Sequence, residues 1–133
     1  MDLVLKSFEL AAETGTDITP LIYDKYFKSS PESVDLMSHI DELVRGKMME
    51  EVFRLLMVEN YQPEAEYLSF EVKNHESAYN VEPDMYIKLL EAVRLAVKDA
   101  LTSEWSIDYE EAWQCRIGDL TNELFNRSKK FSV

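Results

Sequence analysis

The longest regular pattern of apolar residues runs from Tyr86 to Leu101. Its apolar side chains recur at steps of four, three, four and four residues, which keeps one face of an α-helix apolar. They are Tyr86, Leu90, Val93, Val97 and Leu101. Pro83 lies at the start, where a helix tolerates the missing N–H. The pattern predicts a long helix with one buried face.

Two other stretches have the same periodicity. The stripe between residues 41 and 58 consists of Val44, Met48, Val52, Leu55 and Leu56. The stripe nearest the C-terminus consists of Tyr109, Trp113, Ile117, Leu120 and Leu124. Weaker patterns predict helices over 2–13, 18–29 and 64–73, and Pro31 predicts the start of a short helix. Because no segment alternates as a strand does, we expect an all-α fold of six to eight helices in one domain, residues 1–133.

Composition and charge narrow the classes of function. The chain has 133 residues, and its 26 acidic and 14 basic side chains give a formal net charge of −12. Such a surface repels phosphate backbones and anionic lipids, so we expect no nucleic-acid and no membrane partner. No apolar run reaches the length of a membrane-spanning helix and no secretory segment opens the chain. These features predict a soluble cytoplasmic protein.

Cys115 is the only cysteine of the chain. A single cysteine excludes an internal disulfide and a zinc site built from several cysteines. It lies within the apolar pattern of the last helix, so we expect a small buried side chain.

Four blocks of sequence, in their order and spacing, resemble globins, in particular bacterial single-domain globins and the globin part of flavohaemoglobins. They are ETGTDITPLIYDKYFKSSPE at 13–32, VRGKMM at 44–49, HESAYNVEPDMYIKLLEAV at 75–93 and EEAW at 110–113. The resemblance covers nearly the whole chain. It implies a globin fold with haem b held between a distal and a proximal helix.

The resemblance assigns the proximal side of the haem to the third block. His75 matches the histidine that binds the iron, and it would be the metal ligand. Val81, Met85 and Tyr86 would line the proximal side and the corner that follows it. A neutral imidazole is a common haem ligand, and its second ring nitrogen needs a fixed partner.

The distal side is assigned to the first two blocks. Tyr23 matches a tyrosine whose hydroxyl can donate a hydrogen bond to bound oxygen. Val44 falls where the family usually has glutamine or histidine, and Met48, one turn on, would also face the haem. Lys47 matches a basic residue that reaches a haem propionate. Met37 stands where the family has a phenylalanine stacked on the haem.

Three departures from the family pattern leave a second interpretation open. His75 lies four residues before Tyr79, whereas the family has three, so an alignment without a gap places Glu76 at the proximal position. The other departures are Met37 and Val44. All three are changes that the loss of haem would permit. The alternative is therefore a haem-free globin-fold module for regulation or interaction, whose slot holds an apolar ligand or is filled by side chains.

The first interpretation is a haem globin that binds a diatomic gas, oxygen or nitric oxide, for transport, sensing or detoxification. Nitric-oxide dioxygenase activity would need electrons from a separate reductase, so we do not expect an enzyme in its own right. A homodimer is compatible with either interpretation.

Overall fold

The computed structural model describes residues 2–58, 61–78 and 83–127, with the backbone alone at 62, 76–78 and 83. These ranges contain seven α-helices and two single turns of 3-10 helix, Gln62–Glu64 and Thr102–Glu104. The helices are α1 (Leu3–Glu13), α2 (Thr19–Ser29), α3 (Pro31–Met37), α4 (Glu42–Met57), α5 (Ala65–Ala78), α6 (Pro83–Leu101) and α7 (Ile107–Arg127). The predicted all-α class with six to eight helices is confirmed.

Local sequence signals explain where several helices begin. The carboxylate of Asp2 accepts hydrogen bonds from the N–H groups of Val4 and Leu5 at the start of α1. Asp41 accepts in the same way from Val44 at the start of α4. These carboxylates satisfy N–H groups that have no partner within the helix. Pro31 occupies the first position of α3, as predicted.

Helix α6 lies at the centre of the packing. Its buried side chains in the described part are Met85, Leu90, Ala92, Val93, Ala96, Val97 and Leu101. Helices α2, α1 and α7 all pack against it. The predicted face is therefore confirmed from Leu90 to Leu101, while Tyr86 is only half-buried. Two alanines in the buried set let neighbouring helices come close, since the distance between packed helices depends on the side chains at the contact.

Trp113 of α7 packs against α1 and forms a hydrogen bond with it. Its indole is fully buried, and Nε1 donates to the hydroxyl of Ser7 at 2.9 Å. Ser7 in turn donates to the carbonyl of Val4 at 2.6 Å. The ring of Phe8 lies 5.3 Å from Trp113 and 5.2 Å from Phe53 of α4. The buried aromatic group thus joins three helices, and each polar atom named here has a partner.

Arg116 forms a second link among the same three helices. Its guanidinium donates to the carboxylate of Asp2 at 3.0 Å and to the backbone carbonyl of Leu56 at the end of α4. The carbonyls at the end of a helix lack partners within it. Arg116 therefore satisfies one of them while it holds α4 against α7.

Helix α5 is longer than its sequence pattern predicts. The apolar periodicity weakens after residue 73, yet the helix continues to Ala78. His75 consequently lies in the last turns of a helix, two residues beyond the end that the pattern predicts. Leu68 and Val72 bury the inner face, while Asn74 and His75, which follow them, are half-buried. Polar residues carry no apolar periodicity, which is why the pattern missed the end of the helix.

The expected burial of Cys115 is wrong, because its side chain is exposed. Trp113, Ile117 and Leu120 define the inward face of α7, and residue 115 lies on the opposite side of the helix. In the parts of the chain described above, none of the helices combines the length and the apolar composition that spanning a bilayer requires.

We predict that Ser7→Ala lowers the free energy of unfolding by about 1–3 kcal/mol, because it leaves the buried indole N–H of Trp113 without an acceptor. Urea denaturation followed by tryptophan fluorescence measures the change. Ser38→Ala is the matched control, since Ser38 also donates to a carbonyl three residues earlier but is exposed. Equal losses in the two variants would contradict this account of Trp113.

Candidate functional site

The structure brings most of the predicted site residues into two groups. The first, which we call the proximal group, consists of His75, Glu71, Met85 and Tyr86 on α5 and α6. The second, the distal group, consists of Tyr23, Phe27, Met37 and Arg45 on α2, α3 and α4. Lys88 of α6 pairs with Glu32 of α3 at 3.6 Å, which places the beginning of α6 beside α3. Val81 lies outside the described residues.

In the proximal group, each ring nitrogen of His75 has a polar neighbour. Nδ1 lies 3.3 Å from the hydroxyl of Tyr86, and Nε2 lies 3.6 Å from a carboxylate oxygen of Glu71, one turn earlier on α5. Burial lowers the pKa of His75 below its ordinary value, and the negative charge of Glu71 opposes this only in part. At neutral pH the imidazole is therefore uncharged, which is the form that binds metals.

Met85 lies next to Tyr86 and is buried. Its thioether adds an apolar, adaptable side chain at the start of α6. The structure thus places two of the residues predicted for the proximal side, Met85 and Tyr86, at the beginning of one helix. Tyr86 contacts His75 directly.

In the distal group, the hydroxyl of Tyr23 donates to the backbone carbonyl of Arg45 at 2.9 Å. Burial raises the pKa of Tyr23 to about 12, so the phenol keeps its proton at neutral pH. A hydroxyl has one proton to donate. That proton is directed at the first turn of α4.

Arg45 is held in turn by Met37 and by two rings. Its Nη2 donates to the carbonyl of Met37 at 2.6 Å. The guanidinium carbon lies 5.7 Å from the ring centre of Tyr23 and 5.2 Å from that of Phe27, within the range of cation–π attraction. Arg45 Nε is buried and has no partner among the described residues. Arg45 thus connects α4 to both α2 and the end of α3.

The other α4 residues predicted for the site lie nearer to solvent. Val44 is 44% exposed, and Lys47 is exposed as well. Met48 is half-buried against the core, while the fully buried positions of α4 are Met49 and Leu56. The buried side of α4 therefore differs from the predicted stripe at the beginning of the helix. Val44 belongs to the predicted stripe, but its apolar side chain faces solvent.

Side chains in the second half of α4 contact the 3-10 turn and the beginning of α5 that follow it. Arg54 donates to Glu64 at 2.7 Å, and the hydroxyl of Tyr67 donates to Glu51 at 3.0 Å. The guanidinium of Arg54 also lies over the ring of Tyr67. The two helices are thus joined by side chains near the connection between them.

These residues fit haem on one side and not on the other. On the proximal side, a neutral imidazole has one nitrogen fixed by a hydroxyl, as metal-binding histidines require. On α4, Val44 and Met48 offer apolar surface, and exposed Lys47 offers a cation for a propionate. On the distal side, however, the Tyr23 hydroxyl is already bonded to Arg45. Met37, at 8% exposure, belongs to the hydrophobic core and presents little surface for stacking.

Two features of the site were not evident from the sequence. The guanidinium and the carbonyl of Arg45 organise the distal group, a role that the sequence did not indicate. Glu71 was not expected at all, although its spacing of four residues from His75 on a helix would have indicated contact. Among the described residues, no group of three or more His, Cys, Asp or Glu side chains forms a metal cluster.

Comparisons of the chain with protein-family models, with curated proteins and with solved structures found no match. The globin resemblance accordingly rests on the four sequence blocks alone. What the chain binds has to be inferred from the residues of the two groups.

We predict that acidification destabilises the protein through His75. Because the pKa of His75 is lowered in the folded state, the neutral imidazole favours folding above the ordinary value of about 6.5. That contribution is lost as the pH falls from about 6.5 through the lower pKa that His75 has in the folded protein. Thermal unfolding between pH 7.5 and 5 should show a smaller loss of stability in His75→Gln than in the unmodified chain.

The control for this experiment is His39→Gln, which removes the other histidine, an exposed one. We expect this variant to keep the full pH dependence. If His75→Gln and the unmodified chain lose stability in parallel, burial does not hold His75 neutral.

Proposed function

We propose that the protein is a haem-binding globin in which Nε2 of His75 is the iron ligand and a diatomic gas, oxygen or nitric oxide, is the physiological ligand. The observation that carries this proposal is the pairing of His75 Nδ1 with the Tyr86 hydroxyl on the neighbouring helix. Bound haem would supply one open coordination position for the gas. Transport, sensing and detoxification are all compatible with such a site.

Tyr86 would set the state of the imidazole. If Nδ1 donates its proton to the phenol oxygen, Nε2 keeps a free lone pair and is the nitrogen able to bind a metal. A hydroxyl on a separate helix also fixes the orientation of the ring. The contact therefore supports a ligand role for His75 better than burial alone would.

Glu71 would have to move for Nε2 to bind a metal. Its carboxylate lies 3.6 Å from Nε2, beyond a good hydrogen bond, and the side chain is partly exposed. A partly exposed carboxylate gains hydration when it rotates outward, which limits the cost of displacement. The side chain is thus a movable neighbour of the ligand nitrogen.

The first turns of α4 would supply the opposite wall and the rim. Covering the exposed face of Val44 with an apolar ligand removes that surface from water, which is favourable by roughly 25 cal/mol per Å². Lys47 is exposed and positively charged, so it could pair with a propionate at the edge. Nitric-oxide dioxygenase turnover would depend on electrons from a separate reductase.

A second candidate, a haem-free globin-fold module for regulation or interaction, is favoured by the distal group. The Tyr23 hydroxyl already donates to the Arg45 carbonyl, and Met37 fills core space where a haem-facing ring would be expected. In such a module the exposed apolar surface of α4 would meet an apolar ligand, and Glu71 would remain beside His75.

Hemin titration followed by visible absorption separates the two candidates. We expect saturable uptake of one hemin per chain, with an affinity lowered at least tenfold and an altered ferrous spectrum in His75→Ala, since a lost ligand should cost no less than a lost outer-shell partner. His39→Ala is the matched control and should behave as the unmodified chain does.

Failure of the unmodified chain to take up hemin would overturn the haem proposal and leave the haem-free module. Uptake that is equal in the unmodified chain and in His75→Ala would show that another group, or nonspecific adsorption, holds the hemin.

A further inference from the structure

His75 and Glu71 lie at a spacing from which two helical side chains can hold one metal ion. They are four residues apart on α5, which places both on the same face of the helix. Two histidines at this spacing bind zinc in metalloproteases, because both side chains reach a single ion. Here Nε2 of His75 and a carboxylate oxygen of Glu71 lie 3.6 Å apart.

The distance between these two atoms fits a shared ion better than it fits a hydrogen bond. It exceeds the range in which an N–H group donates well to an oxygen. Zinc binds imidazole nitrogen and carboxylate oxygen at about 2.0–2.2 Å. An ion about 2.1 Å from both atoms, which are 3.6 Å apart, would see them at an angle of roughly 120°, close to the tetrahedral angle. The pair can therefore take an ion with little movement of either side chain.

The imidazole of His75 is in the state that a metal ion requires. Burial lowers its pKa, so the ring is uncharged at neutral pH. The hydroxyl of Tyr86 lies 3.3 Å from Nδ1. When Nδ1 donates its proton to that hydroxyl, the lone pair is on Nε2, the nitrogen beside Glu71. A cation between this nitrogen and the carboxylate is attracted by both.

The surroundings of the pair select the kind of ion. The side chains of His75 and Glu71 are each 31% exposed, so water can reach the ion and fill its remaining positions. A nitrogen and an oxygen ligand together favour Zn²⁺, Co²⁺, Ni²⁺ or Cu²⁺ over Mg²⁺ and Ca²⁺, which prefer oxygen alone. Because the protein supplies two ligands, and structural zinc sites supply four, the ion at this place is exchangeable.

We propose that Glu71 and His75 form an exchangeable site for a divalent ion of the zinc class, with Tyr86 as the partner that orients the imidazole. Ion binding here is independent of haem and goes beyond the proposed function. Haem iron needs Nε2 of His75 and requires Glu71 to turn outward, whereas a hydrated ion uses both groups where they lie. The ion and haem therefore exclude each other.

The test uses the full haem-free chain, with Zn²⁺ binding measured by calorimetry and Co²⁺ binding by visible absorption. We expect saturable binding of one ion per chain, which about a hundredfold excess of Mg²⁺ does not displace. His75→Ala and Glu71→Gln should each weaken Zn²⁺ binding at least tenfold, since a lost ligand should cost no less than a lost outer-shell partner. Tyr86→Phe, which removes only that outer partner, should weaken it about tenfold.

His39→Ala is the matched control and should keep the full affinity. His39 also follows an acidic residue, Asp35, by four positions, but it is exposed and lies in a turn beyond the end of its helix. A second measurement uses the unmodified chain, so that it does not depend on the folding of a variant. A small amount of Co²⁺ should broaden the NMR signals of Glu71, His75 and Tyr86 before those of His39.

The outcomes separate ion binding from the proposed function. Zn²⁺ affinity that is unchanged in both His75→Ala and Glu71→Gln, displacement by Mg²⁺, or broadening centred on His39 would show that ions merely adhere to the acidic surface, which overturns the site. Full affinity in Tyr86→Phe would overturn the role of Tyr86. Hemin uptake without Zn²⁺ binding would overturn the ion site and leave the haem proposal intact, and Zn²⁺ binding without hemin uptake would do the reverse.

Discussion

Burial of one broad side of α6 is the constraint on which the rest of the structure depends. Val93, Ala96 and Val97 have no exposed surface, and α1, α2 and α7 all pack against this helix. A helix buried in this way cannot place polar groups on its packed side, so its polar side chains lie away from that side, as Arg94 and Asp99 do in their salt bridges. Tyr86 stands apart from these because it lies in the first turns of the helix, where it meets His75. The candidate ligand thus contacts the most firmly packed helix of the molecule.

The two polar groups satisfy their hydrogen bonds in different ways. In the distal group, Tyr23, Arg45 and Met37 bond to one another, and two of the bonds end on backbone carbonyls. In the proximal group, His75 meets two side chains at distances that leave room for movement. Arg45 Nε has no partner among the described residues, but the Tyr23 hydroxyl and the Arg45 guanidinium are each fixed on a backbone carbonyl. The distal group is therefore fixed to the backbone, while the more loosely paired proximal group can exchange a partner for a ligand.

The apolar periodicity of the sequence predicts much of the fold, but it predicts the contacts of the candidate site less well. The stripes of α6 and α7 predicted their buried faces from Leu90 to Leu101 and from Trp113 to Leu124, because burial on a helix repeats every three or four residues. The same logic failed for Cys115, which shares the helix α7 but not its buried face. It also failed for the end of α5, where the sequence turns polar although the backbone remains helical. The role of Arg45 depends on contacts with α2 and α3, and distant contacts of this kind leave no periodic trace in the sequence.

The most direct test of the account is the resonance Raman spectrum of the ferrous, hemin-loaded protein in the region of the iron–histidine stretch. If His75 Nε2 is the ligand and Tyr86 is its hydrogen-bond partner, the band should be absent in His75→Ala and shifted in Tyr86→Phe, because the bond at Nδ1 tunes the ligand nitrogen. A band that persists in His75→Ala, or one that Tyr86→Phe leaves in place, would contradict it.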